Sequence, residues 1–167
     1  LEQFVHGVVV PTYKSLADNT IELSGICQEL MKSPSQELVN KACKKWVSAR
    51  AYWELSEAFL YGAAGDYNID PHIDSWPLQK NQLDNVLQNK DLLDELKEEG
   101  ADAAGFASLG YGLLGFHAVE YIIFRDGQPR KVAEITEPER IYNAAVAEDL
   151  ARQTTRLEAS WAGIDKV

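Results

Sequence analysis

Long apolar runs, basic clusters and metal-spaced cysteines are all missing from this 167-residue chain. No apolar stretch reaches the roughly 20 residues that a membrane-crossing helix needs. Sixteen Lys and Arg stand against 26 Asp and Glu, a formal charge of −10. The densest basic group is Lys41, Lys44 and Lys45, spaced as the wet side of a helix. A non-specific nucleic-acid binder or an anionic-membrane binder needs a basic patch, so the sequence excludes both classes. Cys27 and Cys43 fit no metal-ligand spacing, and their count leaves the redox compartment open. No secretory signal opens the chain. Leu1 is not an initiator Met, which is compatible with a leader already removed. Strand alternation and tandem repeats are lacking as well.

Several familiar motifs fail on inspection. Asp66-x-Asn68-x-Asp70 begins like a calcium loop, but Pro71 stands where Gly is needed and Pro77 where the closing Glu is needed. No H-E-x-x-H zinc-protease motif occurs. The glycines from Gly105 to Gly115 are not followed by the Lys-Ser/Thr of a phosphate loop.

What is present is helical. Hydrophobic residues make up 46% and charged residues 25%, the composition of one globular domain with a sizeable core. Val5, Val9, Leu16, Leu23, Cys27 and Leu30 mark a first long helix over residues 2–32, which Pro11 should bend or start late. Ser33-Pro34-Ser35-Gln36 reads as a helix start with Ser33 as N-cap. The second helix then runs to about Tyr61, where Gly62 stops it. Residues 62–77 read as a loop. Helices follow over 78–89, 91–98 and 103–124, the last with glycines that permit close backbone approach or a broken start. Asp126-Gly127 is a turn. Thr136-Glu137-Pro138-Glu139 is a capping box opening a helix to about Trp161. The expected fold is all-α, an up-down bundle of four long helices with shorter connecting helices.

Gly115-Phe116-His117-Ala118-Val119-Glu120 places a histidine and a carboxylate three residues apart in an otherwise apolar segment. Such a segment reads as a central, buried helix, and i, i+3 spacing puts both groups on one face. A buried carboxylate must be paired, hydrogen-bonded, neutralised or metal-bound. Arg50, Glu54 and Glu57, at i, i+4 and i+7 on the second helix, form a charged strip edged by Trp46 and Trp53. The loop adds Asp66, Asp70, His72 and Asp74. Two readings stay open on residues alone. One is a hydrogen-bonded core pair, with Glu120 on Arg50 and Glu54 as a surface partner of Arg50. The other is a bundle metal site built from facing helices. His72, in a polar loop, is expected to be exposed.

Three elements occur in order: Trp46-x-x-x-Arg50-x-x-Trp53-x-x-Ser56-Glu57-x-Phe59, then Asp70 through Asp74-x-Trp76-Pro77, then Gly115-x-His117-x-x-Glu120. Together they resemble the imelysin family, exported bacterial helical proteins associated with iron uptake and classed by descent among metallopeptidases. The resemblance covers nearly the whole chain. It implies an all-helical fold, a periplasmic or outer-membrane-anchored setting, and a metal or ligand site using His117 and Glu120. Typical members continue into a second, similar bundle. Residues 1–167 are thus expected to form one bundle, either complete or the N-terminal half of a two-bundle protein.

The resulting expectation is a metal-capturing protein with His117, Glu120 and Glu57 as core ligands. Glu54, Asp70 and Asp74 are additional candidates, and Arg50, Trp53, Ser56 and Gly115 surround them. One imidazole among carboxylates suits Fe, Zn, Mn or Ca. Arg50 would orient a carboxylate. The rival readings are a metallopeptidase using the same residues around an activated water, and a cell-surface polysaccharide- or protein-binding module with a purely structural His–Glu pair. The partners expected are a metal ion or small ligand and a second bundle, with membrane contact only through an N-terminal anchor. In an exported setting, Cys27 and Cys43, either side of the Ser33–Ser35 turn, have the placement for a disulfide.

Overall fold

A computed structural model describes residues 1–59 and 68–164. Helix α1, Val10–Lys32, follows without a break on a short α turn, Glu2–Phe4, and a π-helical stretch, Val5–Val9. Pro11 falls in the first turn of α1. A proline there has no N–H to return to the preceding turn, and the wider π stretch ends where it sits. Helix α2 spans Gln36–Leu55 and tightens into a 3-10 turn, Ser56–Phe59. Its cap is Ser35, not Ser33: the Ser35 hydroxyl accepts from the Leu38 N–H at 3.2 Å, while Ser33 closes α1. Pro34 therefore lies in the linker. The expected end of this helix at Tyr61–Gly62, and Asp66, lie outside the described residues.

The middle of the chain is built from short pieces. Helix α3, Ile69–Ile73, occupies a stretch expected to be loop, and α4 and α5 cover Lys80–Gln88 and Lys90–Glu99. Gly100 ends α5 at φ 57°. The expected fourth long helix over 103–124 is broken. Two 3-10 turns, Phe106–Ser108 and Tyr111–Leu113, precede α6, which is only Phe116–Ile123. The glycines win over the apolar periodicity there, and the Tyr142 hydroxyl on the last helix ties down the Leu113 carbonyl. A two-residue antiparallel ladder, β1 Phe124–Arg125 with β2 Gln128–Pro129, surrounds the Asp126-Gly127 turn. Both turn residues have positive φ, 53° and 75°, as a tight two-residue hairpin demands.

Helix α7, Glu137–Ile164, closes the fold. Its capping box forms as expected: the Glu139 N–H donates to Thr136 Oγ1, and the Thr136 N–H donates to Glu139 Oε1. Arg130 adds a two-pronged contact to Glu139 at 2.6 and 3.2 Å.

Helices α1, α2 and α7 form the frame. Thr20 meets Thr154 and Gln28 reaches the Ala144 carbonyl, so α1 and α7 run antiparallel. Lys45 pairs with Glu22 across the α1–α2 hairpin. The fold is thus an all-α bundle, with three long helices among the described residues where four were expected. Fully buried Leu16, Leu23, Leu30, Trp53, Phe116, Ile122, Leu150 and Leu157 make the core. No helix among the described residues is long and apolar enough to cross a membrane.

Cys27 and Cys43 form no disulfide; both are free and buried. Cys43 turns toward α6 and donates to the Ile123 carbonyl at 3.4 Å. Burial pushes both thiols up to about 12, so neither forms a nucleophilic thiolate near neutral pH.

Candidate metal centre

Three elements meet at His117. Helix α2 supplies Trp46, Arg50 and Trp53, at i, i+4 and i+7 along one face. The end of α3 supplies Asp74. Helix α6 supplies His117 and Glu120. The junction depends on Gly115, which starts α6 at φ 84°. A Cβ built on Gly115 would stand 2.4 Å from the Ile73 carbonyl oxygen. Only glycine lets the α3 backbone approach this closely. Because Asp74 follows Ile73 in the chain, that approach sets its carboxylate beside the first turn of α6. Trp46 braces the same turn from the other side, its indole N–H donating to the Phe116 carbonyl at 2.9 Å.

Asp74 is the hub. Arg50 grips it with Nη1 at 2.6 Å and Nη2 at 3.2 Å, and Trp53 Nε1 donates at 3.0 Å. His117 Nε2 lies 2.9 Å from Asp74 Oδ1. Burial would raise the Asp74 carboxyl, but the bonds from His117, Arg50 and Trp53 outweigh it and hold the group well below the usual carboxylate range. The hydrogen bond to Asp74 in turn lifts His117 above an ordinary histidine, against the opposing effect of burial. The other ring nitrogen, Nδ1, lies 3.3 Å from Glu120 Oε2. The pair does not point into the core as expected. Glu120 is 41% exposed and His117 19%, while Phe116, Ala118, Val119, Ile122 and Ile123 take the buried side of α6.

The other candidates divide. Glu54 is exposed and paired with Arg50 Nε at 3.1 Å. Glu57 is exposed on the 3-10 turn and makes no hydrogen bond with His117. Asp70 is raised by burial and by the nearby charges of Asp74 and Glu57. Ser56 is buried and donates to the Trp53 carbonyl. His72 is not exposed: its Nε2 lies 2.7 Å from Asp149 on α7. That contact pins α3 to the frame and so helps aim Asp74. No spacing in the sequence signals it.

A metal can be tested against these donors. Among the described residues no three His, Cys, Asp or Glu side chains are arranged to hold one ion. Two are. Donors bound to one ion at ~2.0–2.2 Å each sit about 3 Å apart, which suits His117 Nδ1 and Glu120 Oε2. A ligating histidine usually gives its other ring nitrogen to a carboxylate, and Asp74 holds that position, itself fixed by Arg50. The donor set therefore fits half of a metal site. In such a site His117 and Glu120 would hold the ion, and Asp74 and Arg50 would stand behind them.

The site opens on a cleft of about 700 Å³. Trp46, Tyr121 and Phe124 line it with Trp76, which is 72% exposed and sets its ring edge-on to His117 at 5.0 Å.

The imelysin sequence pattern matches residues 9–166. The chain belongs to the imelysin family. Iron-regulated protein A of Synechococcus elongatus is 28% identical over 161 residues, covering 96% of this chain and 39% of that protein. A crystal structure from Parabacteroides distasonis, by name an iron-regulated protein A precursor, superposes with a TM-score of 0.78 at 30% identity, over 93% of this chain and 42% of its own. An imelysin peptidase structure from Bacteroides ovatus gives 0.63 at 37% identity, over 75% and 35%. The chain thus spans about two-fifths of the length of these relatives.

Proposed function

We propose that this imelysin-family chain is a metal-capturing bundle of an exported protein, with iron as the most fitting cargo. His117 Nδ1 and Glu120 Oε2 would hold the ion at the mouth of the cleft. The carrying observation is the backed histidine: Asp74 and Arg50 fix one edge of the ring so that the other edge faces Glu120 and the opening. The iron-regulated naming of two relatives supports the choice of cargo. A periplasmic or outer-membrane-anchored location belongs to the same proposal, as does a second bundle as partner of this one. The bundle's own part is to position the two donors, hold a proton on His117 until an ion replaces it, and keep Asp74 ionised. The ion itself contributes charge and open coordination positions.

The metallopeptidase reading has less support. A catalytic zinc usually has three protein ligands and a placed base, and the described residues offer two ligands. Calorimetric titration of Zn²⁺ or Fe²⁺ into the protein tests the capture reading. Binding should require both His117 and Glu120 and strengthen as pH rises past the histidine range. Unchanged binding in His117→Ala would sink it.

A further inference from the structure

The cleft beside His117 carries more than the two donors use. Trp76 presents 72% of its surface to solvent, against the rule that a large indole is mostly covered. Tyr121 stands in the same cleft with two cations near its ring: Lys80 Nζ at 5.5 Å and Arg125 at 5.0 Å from the centroid. Among the described residues neither cation has a carboxylate partner. In a chain of charge −10, with acidic groups in excess, two cations resting on a ring in a cleft keep their donors available. Flat apolar walls, two unspent cations and a two-donor metal position then occupy one open space of about 700 Å³.

Resting on the metal-capture reading of the same site, we propose that the cleft takes its metal as a chelate with a flat, anionic aromatic ligand. The organic part would lie against Trp76 and Trp46, and its negative groups would meet Lys80 and Arg125. His117 and Glu120 would fill the positions the chelator leaves open. This explains why the described site is only half a ligand shell: a chelate supplies the other half itself. A bare ion would have no use for the exposed indole, and a purely apolar ligand none for the cations. Stacking on indoles and charge-assisted contacts add affinity without further protein ligands.

Three probes separate the parts at pH 7.5 by calorimetry: the iron(III) complex of 2,3-dihydroxybenzoate, 2,3-dihydroxybenzoate alone, and Zn²⁺ alone. The complex should bind at least about tenfold more tightly than either of the others. Trp76→Ala, and separately the charge-removing Lys80→Gln/Arg125→Gln pair, should each weaken the complex about tenfold without weakening Zn²⁺ binding. These side chains lie outside the core, and a thermal melt of each variant verifies that it is folded. A complex that binds no more tightly than Zn²⁺, or affinity indifferent to both variants, overturns the chelate proposal. Free chelator binding as tightly as the complex overturns it too and reassigns the cleft to a metal-free aromatic anion. Loss of the Zn²⁺ signal alone, in wild-type protein, counts against the capture reading instead.

Discussion

Two arginines each grip a carboxylate with two prongs, Glu139 buried and Asp74 partly so, and they do different jobs. Arg130 holds Glu139 at 2.6 and 3.2 Å. Two further donors go to the carbonyls of Ile122 and Glu134. Glu139 is also taken up by the Thr136 cap. That cluster is closed, and it welds the end of α6 to the start of α7. Arg50 holds Asp74 with the same geometry, but the chain of contacts continues through His117 to Glu120 and the cleft. One end of it is open. Equal ion-pair geometry therefore does not mean equal role; the destination of the last polar group decides.

Breaking each hub should have the largest effect and test the likeness. Asp74→Ala leaves Arg50 with only the exposed Glu54 and strands the Trp53 N–H, and Arg130→Ala leaves Glu139 with only the Thr136 cap. Each should cost about 3 kcal/mol, the low end for a buried partner left alone, because Glu54 and Thr136 still answer part of the charge. Urea titration measures both. Only Asp74→Ala should also lower the His117 pKa, read by NMR, since its hydrogen bond is what raises it. An Arg130→Ala protein with an altered His117 titration would join the two clusters into one.

Gly115→Ala comes next. It forces a Cβ onto the Ile73 carbonyl at positive φ, which costs about 1–3 kcal/mol in backbone strain alone, plus displacement of α3. The variant should lose metal binding although it touches no ligand, because Asp74 moves with Ile73. Retained binding would mean that α3 is free to adjust.

This junction also shows what the sequence made legible. Capping at Thr136–Glu139, the hairpin turn at Asp126-Gly127 and the helical class were readable because each is written in neighbouring residues. So was the nearness of His117 and Glu120. The partner of His117 was not. Glu57 shares a helical strip with Arg50, which favoured it on spacing. The carboxylate that arrives is Asp74, carried by a five-residue helix that reads as loop and is placed by Gly115 from 41 positions further along. The length of α6 is hidden for a related reason. Apolar periodicity continued through Leu109–Leu114, but glycines at 110, 112 and 115 turned it into 3-10 turns. Long-range backbone approach leaves no periodic trace.

A smaller effect is expected of pH. The folded-state pKa of His117 is raised, so the protonated ring contributes stability that is fully present below the unfolded value near ~6.5. That contribution is lost as pH rises through the folded value. Asp74 is lowered and works the other way: its contribution is present above about 4 and lost only in strong acid. Between pH 6 and 9 the melting temperature should fall modestly in the wild type and stay flat in His117→Ala. In the closed cluster burial would raise the Glu139 carboxyl, but the Arg130 bond holds it below its ordinary value, so that carboxylate stays ionised throughout this window. A decline that survived the substitution would place the proton elsewhere.

The smallest effect on stability, and the sharpest on function, belongs to Glu120→Gln. Glu120 is 41% exposed, so its contact with His117 is worth about 0–1 kcal/mol. The variant should melt within a degree or two of the wild type. A neutral amide keeps the shape and loses the charge, so the cleft should lose most of its affinity for Zn²⁺ or Fe²⁺. Glu139→Gln at the closed cluster should do the reverse, costing stability while leaving ion binding intact. If Glu120→Gln bound metal as the wild type does, Glu120 would be a surface partner of His117, and both arginine clusters would be structural.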